Sequence, residues 1–191
     1  MEKIVIIGCG GVGSRIAEFL VRDNLREKFM DMLYLVDHDT VEFKNLQRQF
    51  YFQQDINFKK TEALKARLKS IDPDLVIVTH NIQVNKDNIA LFDSKMFCFC
   101  CTDDINGKRA ISEHFENYII ASVDRDVVEI TVNPGYLNVW SFGTGYSVYQ
   151  DVVNNNMAAM IAFKLFKNYL NGMELKNVKL NIKELIERSI S

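Results

Sequence analysis

The stretch Lys3-Ile4-Val5-Ile6-Ile7-Gly8-Cys9-Gly10-Gly11-Val12-Gly13 constrains this chain more than any other. Ile4 to Ile7 are consecutive β-branched apolar residues and read as a strand buried on both faces. Gly8, Gly10 and Gly13 follow as G-x-G-x-x-G, and an amphipathic helical pattern runs over Val12–Asp23. A strand that passes through a glycine turn into a helix is the setting a nucleotide fingerprint needs. The first glycine makes the tight turn, the second lets backbone approach a phosphate, and the third lets the helix pack close to the sheet. The helix N-terminus then offers free N–H groups and partial positive charge to the phosphate.

The unit repeats along the chain. Candidate strands Met32–Val36, Leu75–Thr79, Lys95–Cys101 and Tyr118–Ser122 join Lys3–Ile7. Candidate helices Lys59–Ser70, Lys86–Phe92 and Gly107–Asn117 join the first helix. Continuous apolar strands alternating with amphipathic helices predict a Rossmann-like, doubly wound α/β fold with a mainly parallel sheet. The pattern changes after Ser122. Val127–Asn133 and Tyr136–Phe142 alternate on either side of Pro134-Gly135, which predicts a C-terminal antiparallel hairpin. A long helix over Val152–Asn171 follows, stopped at Gly172, and Asn181–Ile190 reads as a short amphipathic helix. With 191 residues and no linker, the expectation is one domain over 1–191.

Composition excludes several classes. The net charge is −2, so there is no basic field for nucleic acid. No apolar run reaches membrane-spanning length, and Met1-Glu2-Lys3 leads straight into a strand with no signal peptide. A cytoplasmic protein is expected. Of the four cysteines, Cys98, Cys100 and Cys101 fall in one apolar run and read as small core residues. Cys9 sits in the glycine turn, and there is no C-x-x-C pair. His38, His80 and His114 show no metal-ligand spacing.

The glycines leave the nucleotide undecided, and other residues narrow it. Asp37 follows Gly13 by 24 residues at the end of the second strand, where an acid can bond ribose hydroxyls. Asn45, Arg48 and Gln49 come next, and on a helix their spacing would put them on one face. Lys60 begins the next helix, and Asp103 follows the fourth strand at its carboxyl end. Two cations, amides and an acid around a glycine turn suit a triphosphate with Mg²⁺ better than a nicotinamide.

GCGGVGS, VDHDTVEFKNLQRQF, FKKTEALKARL with IDPDLVIV, and CCTDD together resemble the ThiF/MoeB/HesA/E1-like (ubiquitin-activating-like) adenylating enzyme family. The resemblance covers roughly residues 3 to 122. It implies an enzyme that binds ATP and Mg²⁺ and adenylates the C-terminal carboxylate of a small β-grasp (ubiquitin-like) protein or peptide. Gly8, Gly10 and Gly13 would pack on the nucleotide, and Asp37 would hold the ribose. Asn45, Arg48, Gln49 and Lys60 would line the phosphate path, and Asp103 would hold Mg²⁺. The resemblance also implies a homodimer.

The chain departs from the family pattern in three places. It lacks the paired C-x-x-C motifs of a structural zinc, so no zinc is expected. It has no cysteine between Phe142 and Val152 or later, so no thioester of its own is expected. Only two residues precede the first strand, so an arginine supplied across a dimer would come from another element, with Arg15 and Arg22 as candidates. Two other readings stand beside the enzyme: a non-catalytic scaffold subunit of a heteromeric complex, and an NAD-linked oxidoreductase.

Overall fold

The computed structural model describes residues 2–132 and 150–190. Seven strands form one sheet in the order β3-β2-β1-β4-β5-β6-β7. They are β1 Glu2–Ile7, β2 Met30–Val36, β3 Val76–His80, β4 Phe97–Cys100, β5 Asn117–Asp124, β6 Val127–Val132 and β7 Val178–Asn181. The first five are parallel, and β6 runs antiparallel to both β5 and β7. The helices are α1 Gly11–Glu27, α2 Lys60–Ile71, α3 Ile105–His114, α4 Val152–Leu170 and α5 Ile182–Ile190. This is the Rossmann-like doubly wound architecture expected, with an antiparallel addition.

Strand periodicity divides the core. Ile4, Ile6, Leu33, Leu35, Phe97 and Phe99 face α1, α2 and α4. Val5, Ile7, Val36, Cys98 and Cys100 face the other way, against Ala110 and Ile111 of α3 and the segment carrying Ile89 and Phe92. Both faces are covered, which is why the stretches Ile4–Ile7, Leu33–Val36 and Phe97–Cys100 carry no charged residue. Phe166 of α4 is fully buried against Phe97 and Phe99, with ring centroids 4.7 and 5.4 Å away. The helix α1 runs past the expected Asp23 to Glu27 and ends where Lys28 turns left-handed at φ 50°. The Asn24 side chain then ties that end to both backbone groups of Met30.

Two expectations are corrected. Lys86–Phe92 is not a helix; only a single 3₁₀ turn forms, at Ile89–Leu91. Asn85 and Asn88 bond local backbone at Asp87, Asn85 and Gln83, and such bonds compete with helix. The tail contains a strand, β7, ahead of its helix, and this strand covers β6 from Val127 to Ile130. The antiparallel element after Ser122 pairs with β5 through a turn in which Arg125 has φ 50°. Tyr136–Phe142, expected as its hairpin partner, lies outside the described residues. No described helix is long and apolar enough to cross a membrane.

Candidate functional site

The strand order reverses between β1 and β4, so the chain leaves their carboxyl ends in opposite directions. A crevice opens there, the usual place for a ligand in an open α/β sheet. It is a cleft of about 1110 Å³. Gly8, Gly10, Asp37, Asn45, Arg48, Gln49, Lys60 and Asp103 all line it. Gly13 does not line it, and its role is packing: a Cβ there would lie 1.9 Å from the Gly8 carbonyl oxygen.

The glycines separate by task. Gly8 has φ +96°, and a Cβ on it would meet the Cys101 carbonyl carbon at 2.6 Å. Gly10 caps α1 without a side chain, so the first N–H groups of the helix have no side-chain partner. A Cβ on Gly10 would meet only Gln49 Nε2, at 3.8 Å. The space above Gly10 is therefore open at the helix N-terminus, as close approach of an anion requires.

Asp37 is held before any ligand arrives. Its two carboxylate oxygens accept the backbone N–H groups of Cys9 at 2.7 Å and Asp39 at 2.8 Å. It so joins the glycine turn to the loop after β2. Tyr51 supports the same turn from below, its hydroxyl donating to the Cys9 carbonyl at 2.6 Å. Lys60, at the start of α2, is buried, and its ammonium reaches Asp39 at 2.7 Å. Partial burial pushes the Asp39 carboxyl up, but the Lys60 ammonium overrides it and holds the group below its ordinary value.

Asn45, Arg48 and Gln49 do share one side, though not on a helix. A 3₁₀ turn covers Phe43–Asn45. The Asn45 carbonyl then accepts the N–H of both Arg48, at 3.1 Å, and Gln49, at 2.8 Å. Asn45 is buried, and its side-chain oxygen caps the Glu42 N–H at 2.9 Å. It therefore shapes the loop that presents Arg48. The Arg48 guanidinium donates to the Lys44 carbonyl at 3.1 Å. Arg67 of α2 pins the following segment: it donates to the Phe50 carbonyl at 2.7 Å, pairs with Asp55 and stacks on Phe52. Asp103 is exposed, three residues beyond the end of β4, and lines the cleft.

Several contributors were not foreseen. Gly11 lines the cleft, and a Cβ on it would strike Asn155 Nδ2 at 2.1 Å. Lys108 of α3 is buried, and its ammonium donates to the Ser122 hydroxyl at 3.0 Å. Ser122 pairs with Glu129 across β5 and β6, so these three put a polar wall on the far side of the cleft. The spacing of Lys108 from Asp103 gave no signal without the strands that face it. Asp37, His38 and Asp39 are a group whose ligand atoms lie within 4.8 Å of one another. Both acids already have partners in the protein: Asp37 accepts two backbone N–H groups, and Asp39 pairs with Lys60.

Three cysteines are buried, and Cys101 is half-buried at the cleft wall. Burial raises the thiols of Cys9, Cys98 and Cys101 well above the ordinary value and puts Cys100 at about 11. Arg15 and Arg22 both pair with Glu18 of their own helix, and Arg15 also stacks on Phe50 at 4.2 Å.

Comparison with known proteins agrees with this fold. The chain is similar to ubiquitin-like modifier-activating enzyme 5 of Drosophila willistoni, 30% identical over 144 residues, covering 66% of this chain and 34% of that protein. The enzyme of the same name from Dictyostelium discoideum is 30% identical over 124 residues, covering 58% of this chain and 31% of that one. The chain spans about a third of the length of these relatives. Among solved structures, E. coli MccB with ATP superposes at a TM-score of 0.76 and 18% identity, over 95% of this chain and 64% of that one. PaaA superposes at 0.70 and 16% identity, over 95% of this chain and 73% of that one. Residues 1–158 match the ThiF family profile, and the chain belongs to the ThiF family.

Proposed function

We propose that this chain binds ATP with Mg²⁺ in the cleft and adenylates the terminal carboxylate of a small ubiquitin-like protein or peptide. One observation carries the reading. The uncapped N-terminus of α1, Arg48, Lys60 and the exposed Asp103 all line a single cleft at the strand-order reversal. A nicotinamide carries no triphosphate to occupy that set. The names of the relatives, and the ATP in a structure of the same fold, point the same way.

A carboxylate oxygen of the acyl substrate attacks the α-phosphorus. A carbon-oxygen-phosphorus anhydride forms, the bond to the β-phosphate oxygen breaks, and pyrophosphate leaves with the electron pair. No general base is needed, because the nucleophile is already ionised near neutral pH. The difficulty is anion attacking anion. The α1 N-terminus, Lys60 as a point charge and Arg48 as a planar fork offset the charge that develops. Asp37 suits the ribose hydroxyls. Mg²⁺, held through Asp103 and the phosphates, would add charge neutralisation. Lys108 and Ser122 suit the acyl end of the cleft. Cys9, Cys98 and Cys100 are buried and all four thiols are raised, which favours a reaction that ends at the acyl-adenylate.

The test is ATP–pyrophosphate exchange against small proteins ending in Gly-Gly, with the C-terminal amide of each as control. Exchange that needs both the free carboxylate and Mg²⁺ is expected. A thermal shift with NADH and none with ATP·Mg²⁺ would overturn the reading.

A further inference from the structure

Asn155 of α4 has no part in the chemistry above, yet it touches two pieces of the site. It is 1% exposed. Its Nδ2 donates to the Arg48 carbonyl at 3.3 Å, across 107 residues of sequence. The same nitrogen occupies the position that a Cβ on Gly11 would need. Its Oδ1 is buried without a hydrogen-bond partner among the described residues. A half-satisfied buried amide is costly, and an apolar side chain of the same size would fill the space without that cost. Packing alone does not account for an amide here.

The surroundings suggest what does. The first turn of α4 is itself fixed. Asp151 caps the Asn154 N–H at 2.8 Å, and the Asn154 side chain donates to the Arg125 carbonyl. The loop carrying Arg48 meets α1 at a neighbouring point, where the Phe50 N–H reaches the Ser14 hydroxyl at 3.4 Å. Asn155 therefore joins three separate parts of the chain: the glycine turn, the arginine loop and α4.

We propose that Asn155 is a positioning residue for Arg48. It holds the Arg48 backbone against the first turn of α1, so that the guanidinium can leave the Lys44 carbonyl for the triphosphate without moving its own anchor. Gly11 is glycine because the tie passes through the space its side chain would take. The inference rests on the ATP reading and deepens it.

The test is a double-mutant cycle on ATP·Mg²⁺ affinity by calorimetry, using the full chain. Asn155→Ala is expected to weaken binding about tenfold, within the usual coupling range for residues in contact. In an Arg48→Ala background the same change is expected to matter less than about twofold, the limit of additivity error. Asn155→Leu fills the space, so its melting temperature should stay above that of Asn155→Ala, while its affinity should drop as in the alanine variant. Equal weakening by Asn155→Ala in both backgrounds would assign the residue to packing and overturn the proposal. Parental affinity in Asn155→Leu would overturn it too. If the parent binds no ATP·Mg²⁺, the nucleotide reading itself fails, an outcome distinct from both.

Discussion

Lys60 and Asp39 form an unequal pair: their charged atoms are 2.7 Å apart, but the lysine side chain is 7% exposed and the aspartate 49%. Removing the acid leaves a buried ammonium with less compensation. Asp39→Asn is expected to destabilise the protein by about 1–2 kcal/mol at neutral pH, reduced from the fully buried case by the water around Asp39. The sign follows from the lowered carboxyl. Its stabilisation is complete above the ordinary value of 3.8 and is lost as pH falls through the lower folded value. Denaturant melts of both proteins from pH 7 down to about 3 should show the gap narrowing only at the acid end.

The glycines should respond differently. Gly8→Ala and Gly13→Ala should not yield folded protein, because each Cβ would meet backbone at 2.7 Å or less. Gly10→Ala should fold, since the nearest atom stands at 3.8 Å, and should lose ATP·Mg²⁺ affinity through the methyl group at the helix N-terminus. Circular dichroism and calorimetry read the two properties separately.

Arg48→Ala and Asp103→Ala should keep the parental melting temperature within a few degrees, because neither side chain is in the core. Each should cut pyrophosphate exchange by about 10² to 10³, the usual effect of losing one positioned electrostatic group. Exchange within a few-fold of the parent would show that the site is misplaced.

No thioester should form. After incubation with ATP and an acyl substrate, intact-mass spectrometry should find no reducible adduct on Cys9, Cys98, Cys100 or Cys101. The raised thiols make this the expected result at neutral pH.

A symmetric dimer is the expected assembly. Val152, Val153 and Met160 of α4 are exposed, as are Leu185 and Ile186 of α5. A second copy would cover such apolar surface. Light scattering at micromolar concentration should give twice the 22.1 kDa chain mass, and a monomer unchanged by ATP would exclude the dimer.

The parallel core was legible because Ile4–Ile7 and the cysteine-rich strand carry no polar residue, which only a doubly covered sheet tolerates. Gly8, Asp37 and Lys60 were legible in position because each directly follows a strand or begins a helix, and Asp103 because it falls in the short connection between β4 and α3. Lys86–Phe92 misled because Ile89 and Phe92 have helical spacing while Asn85 and Asn88 divert the backbone. Lys108 and Asn155 were invisible for another reason. Their meaning depends on Ser122 and Gly11, which a fold must bring to them, and no local spacing encodes that.

The two hydrogen bonds to Asp37 have a dynamic consequence. The Cys9 N–H belongs to a turn, yet its acceptor is a buried carboxylate at the end of β2. Opening the turn breaks that buried bond, so it is tied more closely to the ends of β1 and β2 than a surface loop would be. A ligand there meets a surface already set at the moment of folding. What is left free to adjust is the side chains that reach solvent, the Arg48 guanidinium and Asp103.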